Sequence, residues 1–185
     1  MRKIHVFENV SLDGFFTDEK GDMSWAHRHD EEWNAFTSGN AGGEAELLFG
    51  RVTYEMMAAF WPTAEAARML PDVAAGMNRM KKFVVSRTLT DASWQGTTIL
   101  NGDLVAETKR LKEETGPDLL ILGSGSVVSQ LTEARLIDEY QIVLTPTVLG
   151  RGRTLFETVK DKQSFGLTST RSFKNGNVVL KYMPA

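Results

Sequence analysis

The sequence contains no cysteine. That absence excludes structural disulfides, thiolate zinc sites and cysteine nucleophiles together. It also lacks any apolar segment near the roughly 20 residues that span a bilayer. The short stretch after Arg2 and Lys3 is interrupted at His5 and Glu8, so no signal-peptide core is expected. A dominant sign of charge is missing as well. The 21 Lys and Arg face 24 Asp and Glu, a formal net charge of -3, so nothing draws the chain as a whole to nucleic acid. An anionic ligand has to be held locally. The three histidines, His5, His27 and His29, show no metal-ligand spacing, and neither a Ser-His-Asp order nor H-E-x-x-H is present. The expectation is a cytoplasmic protein with no nucleic-acid partner, no membrane partner and no metal. Its 185 residues fit one domain, 1–185.

What is there reads as alternating strands and helices. Ile4 to Val10 is a first strand, followed by Ser11-Leu12-Asp13-Gly14, where Asp and Gly supply turn chemistry. Asp30 to Thr37 reads as a short helix and Ser38 to Gly43, with three Gly in six residues, as a loop. Leu47-Leu48-Phe49 is a short strand ending at Gly50, and Thr53 to Phe60 has helical composition. Pro71, favoured at a first helical position, opens a helix to Met80. Lys82 to Ser86 and Thr97 to Leu100 are strands, Asp103 caps a helix to about Glu114, and Leu119 to Leu122 is a continuously apolar strand. Gly123 to Ser126 turns into a helix ending near Arg135, and Tyr140 to Leu144 is a strand. The last two strands flank Asn175-Gly176, a strong hairpin signal. The pattern predicts an α/β fold: a mostly parallel sheet closed by a C-terminal antiparallel hairpin.

Two strand-to-helix junctions carry glycines, Phe49-Gly50-Arg51-Val52-Thr53 and Leu122-Gly123-Ser124-Gly125-Ser126. In open α/β sheets, ligands collect at the carboxyl ends of strands, where helix N-termini offer free N–H groups to phosphate. Two such junctions can hold one pyrophosphate, with hydroxyls from Ser and Thr and a positive charge from Arg51. The G-x-G at Gly123 lacks the third glycine of the dinucleotide fingerprint, so an ordinary Rossmann site is not indicated. Ser86-Arg87 ends a third strand with a hydroxyl and a guanidinium, suited to a ribose 2′-phosphate and hence to NADPH. Asp30, five residues after Trp25, is either a helix cap or a carboxylate facing a cleft, where it would accept hydrogen bonds from an amidine-like edge of a heterocycle. Glu31 and Glu32 compete for that role.

These residues carry a resemblance. SLDG at Ser11 to Gly14, LLFGRVTYE from Leu47 to Glu55, VVSRT from Val84 to Thr88, LGSGS from Leu122 to Ser126 and LIDEYQIVLTPTVLGRGRTLF from Leu136 to Phe156 occur in order over nearly the whole chain. They resemble the dihydrofolate reductase superfamily, in particular stand-alone proteins similar to the C-terminal reductase domain of the riboflavin-pathway deaminase-reductase, RibD. The resemblance implies a three-layer α/β/α fold with about eight strands and NADPH lying across the carboxyl edge of the sheet. Gly50, Arg51 and Thr53 match the family's first phosphate turn, and Ser86 and Arg87 the adenosine ribose phosphate. Gly123, Ser124, Gly125, Ser126 and Val127 match the second turn, and Asn9, Val10 and Asp13 the strand end and loop covering the nicotinamide. Trp25 and Asp30 match the substrate side, with Asp30 the catalytic carboxylate and Thr145 its partner. The chain departs from the folate enzymes at Met80 and Val128, where a basic residue and a tyrosine are expected, and from the riboflavin subgroup at Phe15 and Leu122. The implied activity is hydride transfer from NADPH to a small pterin-like or pyrimidine-like heterocycle, by a homodimer; the rival reading is an NADPH-binding sensor or scaffold without turnover.

Overall fold

The computed structural model describes residues 1–41 and 43–185. Its strands are β1 (Ile4–Ser11), β2 (Phe15–Thr17), β3 (Glu46–Gly50), β4 (Lys82–Val85), β5 (Thr97–Leu100), β6 (Leu119–Leu122), β7 (Glu139–Thr145), β8 (Arg153–Thr154), β9 (Phe165–Ser172) and β10 (Val178–Pro184). The helices are α1 (Glu31–Ala41), α2 (Arg51–Phe60), α3 (Ala64–Met69), α4 (Pro71–Arg79), α5 (Leu104–Glu113) and α6 (Gly125–Glu133). Eight strands form one sheet in the order β5-β4-β3-β6-β1-β7-β10-β9, and β2 pairs separately with β8. From β5 across to β7 every pairing is parallel; β10 runs antiparallel to β7, and β9 antiparallel to β10. The mostly parallel sheet with its terminal hairpin is therefore as the sequence predicts.

Parallel strands need helical crossovers, which cover both faces, so the strands read as unbroken apolar runs. In β3 successive residues go to opposite cores. Leu48 packs with Ile4, Val6, Ile121, Leu111 and Leu131 on the face carrying α5 and α6. Leu47 and Phe49 pack with Tyr54, Met77, Val84 and Trp94 on the other. A third cluster, Trp33, Val143, Phe173 and Val179, seats α1 on β7 and β10. The geometry that matters for function follows from the parallel order: Ser11, Gly50, Val85, Leu100, Leu122 and Thr145 all end strands at one edge of the sheet.

Three local expectations change. Ser38 to Ala41 is helical rather than loop, while Gly42 lies outside the described residues. Tertiary contact overrides the glycine here: Ala41 is buried, and a side chain at Gly76 of α4 would lie 2.2 Å from the Ala41 carbonyl, so α1 and α4 meet backbone to backbone. The hairpin at Asn175-Gly176 forms, but through a wider turn. Gly176 N–H donates to the Phe173 carbonyl at 3.0 Å, Phe173 N–H to the Asn177 carbonyl at 2.9 Å, and Gly176 alone in the turn has positive φ. Finally, α2 begins at Arg51, directly from the strand, with Gly50 as its N-cap.

Candidate functional site

Glycine chemistry builds a groove at the carboxyl edge. β3 stops at Gly50, whose N–H donates to Ser124 Oγ at 3.1 Å, tying the first turn to the second. A side chain at Gly50 would press on Val127 at 3.2 Å. After β6 the backbone enters the left-handed region twice in succession, at Gly123 with φ 64° and Ser124 with φ 61°, which reverses the chain into α6. Gly125 has to be glycine for a steric reason, since a Cβ there would sit 2.3 Å from the Phe16 ring. The result is a cleft of about 290 Å³ between the N-termini of α2 and α6, lined by Gly50, Arg51, Thr53, Ser124, Ser126 and Gln130 among others. Val127 N–H turns back to the Ser124 carbonyl at 2.8 Å, while the N–H groups at the very start of each helix precede any helical acceptor, so two positive dipole ends converge on one cleft. The structure thus brings together Gly50, Arg51, Thr53, Gly123, Ser124, Gly125, Ser126 and Val127. Arg51 lies on the exposed side of α2, where its Nη1 pairs with Glu55 Oε2 at 2.8 Å.

Ser86 and Arg87 follow β4 at the same edge. The Ser86 hydroxyl accepts from the N–H groups of Thr88 and Leu89 at 3.2 and 2.9 Å, fixing the turn that presents Arg87. Arg87 is exposed and has no ionic partner among the described residues. Asp13 is tied to two loops of the chain. Its carboxylate accepts from Ser11 Oγ at 2.6 Å and from the N–H groups of Leu149 and Gly150, at 3.1 and 2.7 Å. The Ser11 hydroxyl, with these N–H groups, holds the carboxyl below its ordinary range. Asp13 therefore locks the loop after β1 to the loop before β8, and β2 pairs with β8 beside that lock. Val10 packs against the main core.

On the face beneath α1 the chemistry is of another kind. Asp30 caps α1, its Oδ1 accepting from Trp33 N–H at 2.7 Å, yet Oδ2 is buried with no partner. Cap and available carboxylate are the same residue. Thr145 is fully buried at the end of β7 and its hydroxyl is unpartnered. Asn177 lies one step beyond the Val178–Leu144 pair, which places it at the register position beside Thr145; it is fully buried, and neither amide atom has a partner. Asn9 Oδ1, at the end of β1, is buried and unpartnered too. None of these atoms has a partner among the described residues, whereas buried polar groups are almost always bonded. Trp25 stands apart in a single 3-10 turn, Ser24–Ala26, its indole N–H donating to the Asp22 carbonyl at 3.1 Å.

Two residues were missed in reading the sequence. Asn177 was hidden behind the hairpin signal of its neighbours. Glu8 had a visible sign: Ile4, Val6 and Glu8 share one parity in β1, and the first two are core. Glu8 is 2% exposed, and burial pushes its carboxyl up to about 8, against a modest opposing effect of the Asn9 N–H. Among the described residues no cluster of His, Asp and Glu could hold a metal ion, and no helix is long and apolar enough to cross a membrane.

Comparison with known proteins agrees with this architecture. Residues 2–179 match the model of the RibD C-terminal domain. The chain is 28% identical to the uncharacterized protein YyaP of Bacillus subtilis over 181 residues, 98% of this chain and 94% of that one. A crystal structure of a Shewanella sp. PV-4 protein named for riboflavin biosynthesis superposes with a TM-score of 0.74 at 24% identity, covering 99% of both chains. Dihydrofolate reductase from Enterococcus faecalis, complexed with NADP(H), superposes with a TM-score of 0.64 at 14% identity, covering 98% of this chain and 96% of that one. The fold is that of dihydrofolate reductase, as the motifs implied. With its match extending over almost every residue, this chain belongs to the RibD C-terminal domain family.

Proposed function

We propose that the protein is an NADPH-dependent reductase that delivers hydride to a C=N or C=O carbon of a pterin-like or pyrimidine-like heterocycle. The observation that carries this reading is the pair of glycine turns, joined by the Gly50 to Ser124 hydrogen bond, with two helix N-termini opening on one cleft. That arrangement fits a pyrophosphate: N–H groups at the two helix starts face one cleft, and the packing of Gly50 against Val127 and of Gly125 against Phe16 fixes those turns beforehand. Family membership and the likeness to an NADP(H)-complexed reductase support the same cofactor.

Gly50, Arg51, Thr53 and Ser124 to Val127 would hold the pyrophosphate and its neighbouring ribose, and Ser86 with the free Arg87 guanidinium the 2′-phosphate. Asn9 and Val10 would stand at the nicotinamide end, with Asp13 keeping the covering loop in place. NADPH supplies the hydride; the protein orients, desolvates and handles the proton. Asp30 Oδ2 and the Thr145 hydroxyl, already out of water, are the groups we assign to the heterocycle, Asp30 accepting from its N–H edge and relaying the proton directly or through water. Groups held dry beforehand need no reorganisation when the ligand arrives. Trp25 lies on the segment leading to Asp30 and is assigned to the substrate side with it.

The test is a titration with NADPH and with NADH, followed by quenching of the four tryptophans, in the native protein and in Arg87→Ala. A preference for NADPH that Arg87→Ala erases is the expected result. Binding of neither nucleotide would sink the reductase reading.

A further inference from the structure

Glu8 is the one acidic side chain of β1, and it points into the face that carries α6 rather than to solvent. Oε1 accepts from the Asn9 N–H at 3.0 Å; Oε2 is buried and has no partner among the described residues. It lies against a neighbour that lacks a side chain. The point where a Cβ of Gly123 would lie is 3.9 Å from Glu8 Oε2, 3.8 Å from the Thr53 hydroxyl and 3.2 Å from the Thr53 methyl. Gly123 and Thr53 are only partly buried, and Thr53 lines the cleft. The Thr53 hydroxyl and the unused carboxyl oxygen therefore converge on one side of Gly123, directly beneath the cleft, where a side chain would be tight against the Thr53 methyl.

Among the described residues no charge stabilises an ionised Glu8. Its strand neighbours at this level are Ile142 of β7 and the Leu122-Gly123 end of β6. The charged residues of the surrounding elements are engaged elsewhere: Arg51 with Glu55 on α2, Glu133 of α6 with the Lys160 N–H, and Glu139 of β7 with His5 and Lys181. A carboxyl so placed keeps its proton at neutral pH, and a neutral acid has an O–H to donate.

Resting on the dinucleotide reading above, we propose that Glu8 is a further binding residue of the cleft: its carboxylic acid O–H donates to an oxygen of the nucleotide seated against Gly123. Ionisation reverses the effect. A carboxylate beneath Gly123 has no proton to give and repels the phosphates of the ligand.

Three proteins decide it: native, Glu8→Gln and Arg87→Ala, each titrated with NADPH between pH 7 and pH 9.5. The 2′-phosphate is fully ionised across this range, its second pKa being near 6, so the ligand contributes no trend. The native protein and Arg87→Ala should lose affinity with a common slope, about tenfold by one pH unit above the midpoint. Glu8→Gln, which donates at every pH, should give a flat profile. Equal slopes in native and Glu8→Gln would overturn the assignment while leaving the cofactor reading intact. Binding of NADPH by none of them would overturn the cofactor reading, and the assignment with it. Should Glu8→Gln fail to fold, infrared spectra of the native protein serve instead. A protonated carboxyl band present at pH 7 and displaced by NADPH supports the proposal, and a band that NADPH leaves unmoved refutes it.

Discussion

The two ends of the candidate site are built by opposite means. The cleft between α2 and α6 is framed by backbone: glycine turns, two helix N-termini and the Gly50 N–H bonded to the Ser124 hydroxyl. The row beneath α1 is made of side chains, Asp30, Thr145, Asn177 and Asn9, each with a buried atom that has no partner among the described residues. A phosphate is a large anion that any converging set of N–H groups can hold, so its site can be part of the scaffold. A heterocycle is recognised by its pattern of donors and acceptors, and the matching groups have to stay unbonded until it arrives. The difference makes a directional claim about stability: changes in the cleft should destabilise the fold, and apolar changes in the row should stabilise it.

The largest effect expected belongs to Glu8, beneath the cleft. Its folded-state pKa is raised, so the folded protein retains a proton that the unfolded chain releases between about pH 4.5 and pH 8. The stability associated with that proton is complete below pH 4.5 and is lost as pH rises through 8. Denaturant melts of native protein and Glu8→Gln, compared at pH 5 and pH 9, should diverge by a few kcal/mol, on the order given by a shift of several pKa units. Parallel pH dependences would mean that Glu8 is not a buried acid. Next comes Gly125→Ala. The new methyl would meet the Phe16 ring at 2.3 Å, and forcing a group into a packed site costs roughly 1–3 kcal/mol. A denaturation midpoint equal to native would show that Phe16 moves aside freely.

These two positions also show what could be read from sequence. Gly125 lies in a motif whose strand–glycine–helix order is local, although the Phe16 ring that requires glycine there is remote in the chain. The main strands and helices were legible for the same reason: their periodicity and caps, such as Asp103 accepting from Ala106 N–H at 3.0 Å, act over a few residues. What escaped depends on partners far away in the chain. The β2–β8 pair exists because Asp13 bonds to Leu149 and Gly150, more than 130 residues on, and two or three residues of strand have no periodicity to detect. Helix α3, six residues capped by Thr63, is equally short. Asn177 escaped because an asparagine beside a hairpin looks like turn chemistry, and only the β7–β10 register puts it next to Thr145.

The row responds in the opposite sense. Thr145→Val keeps the shape and removes a hydroxyl that is desolvated without a bond, so it should raise stability by about 1 kcal/mol. Asn177→Leu should do likewise. Both should lower turnover, and the stabilisation is what separates this reading from ordinary damage. Urea midpoints below native in both variants would show that these atoms are bonded after all and that the row is structural.

Asp30→Asn gives the smallest change in stability and the sharpest division of roles. Asp30 performs two tasks with two oxygens: Oδ1 caps α1 through Trp33 N–H, and Oδ2 is unused. Asparagine caps about as well as aspartate, its carbonyl oxygen replacing Oδ1, so the midpoint should move by less than about 0.5 kcal/mol. Asp30→Ala, which loses the cap, should fall by about 1 kcal/mol. Turnover should separate differently. Asn cannot accept and pass on a proton as the carboxylate does, so Asp30→Asn should be as impaired as Asp30→Ala while NADPH affinity stays native in both. Proton transfer by a placed side chain is typically worth 10²–10⁴-fold, a loss far outside what half a kilocalorie of stability could produce. Native turnover in Asp30→Asn with reduced turnover in Asp30→Ala would reverse the assignment, leaving the residue a cap and moving the proton to the Thr145–Asn177 end of the row.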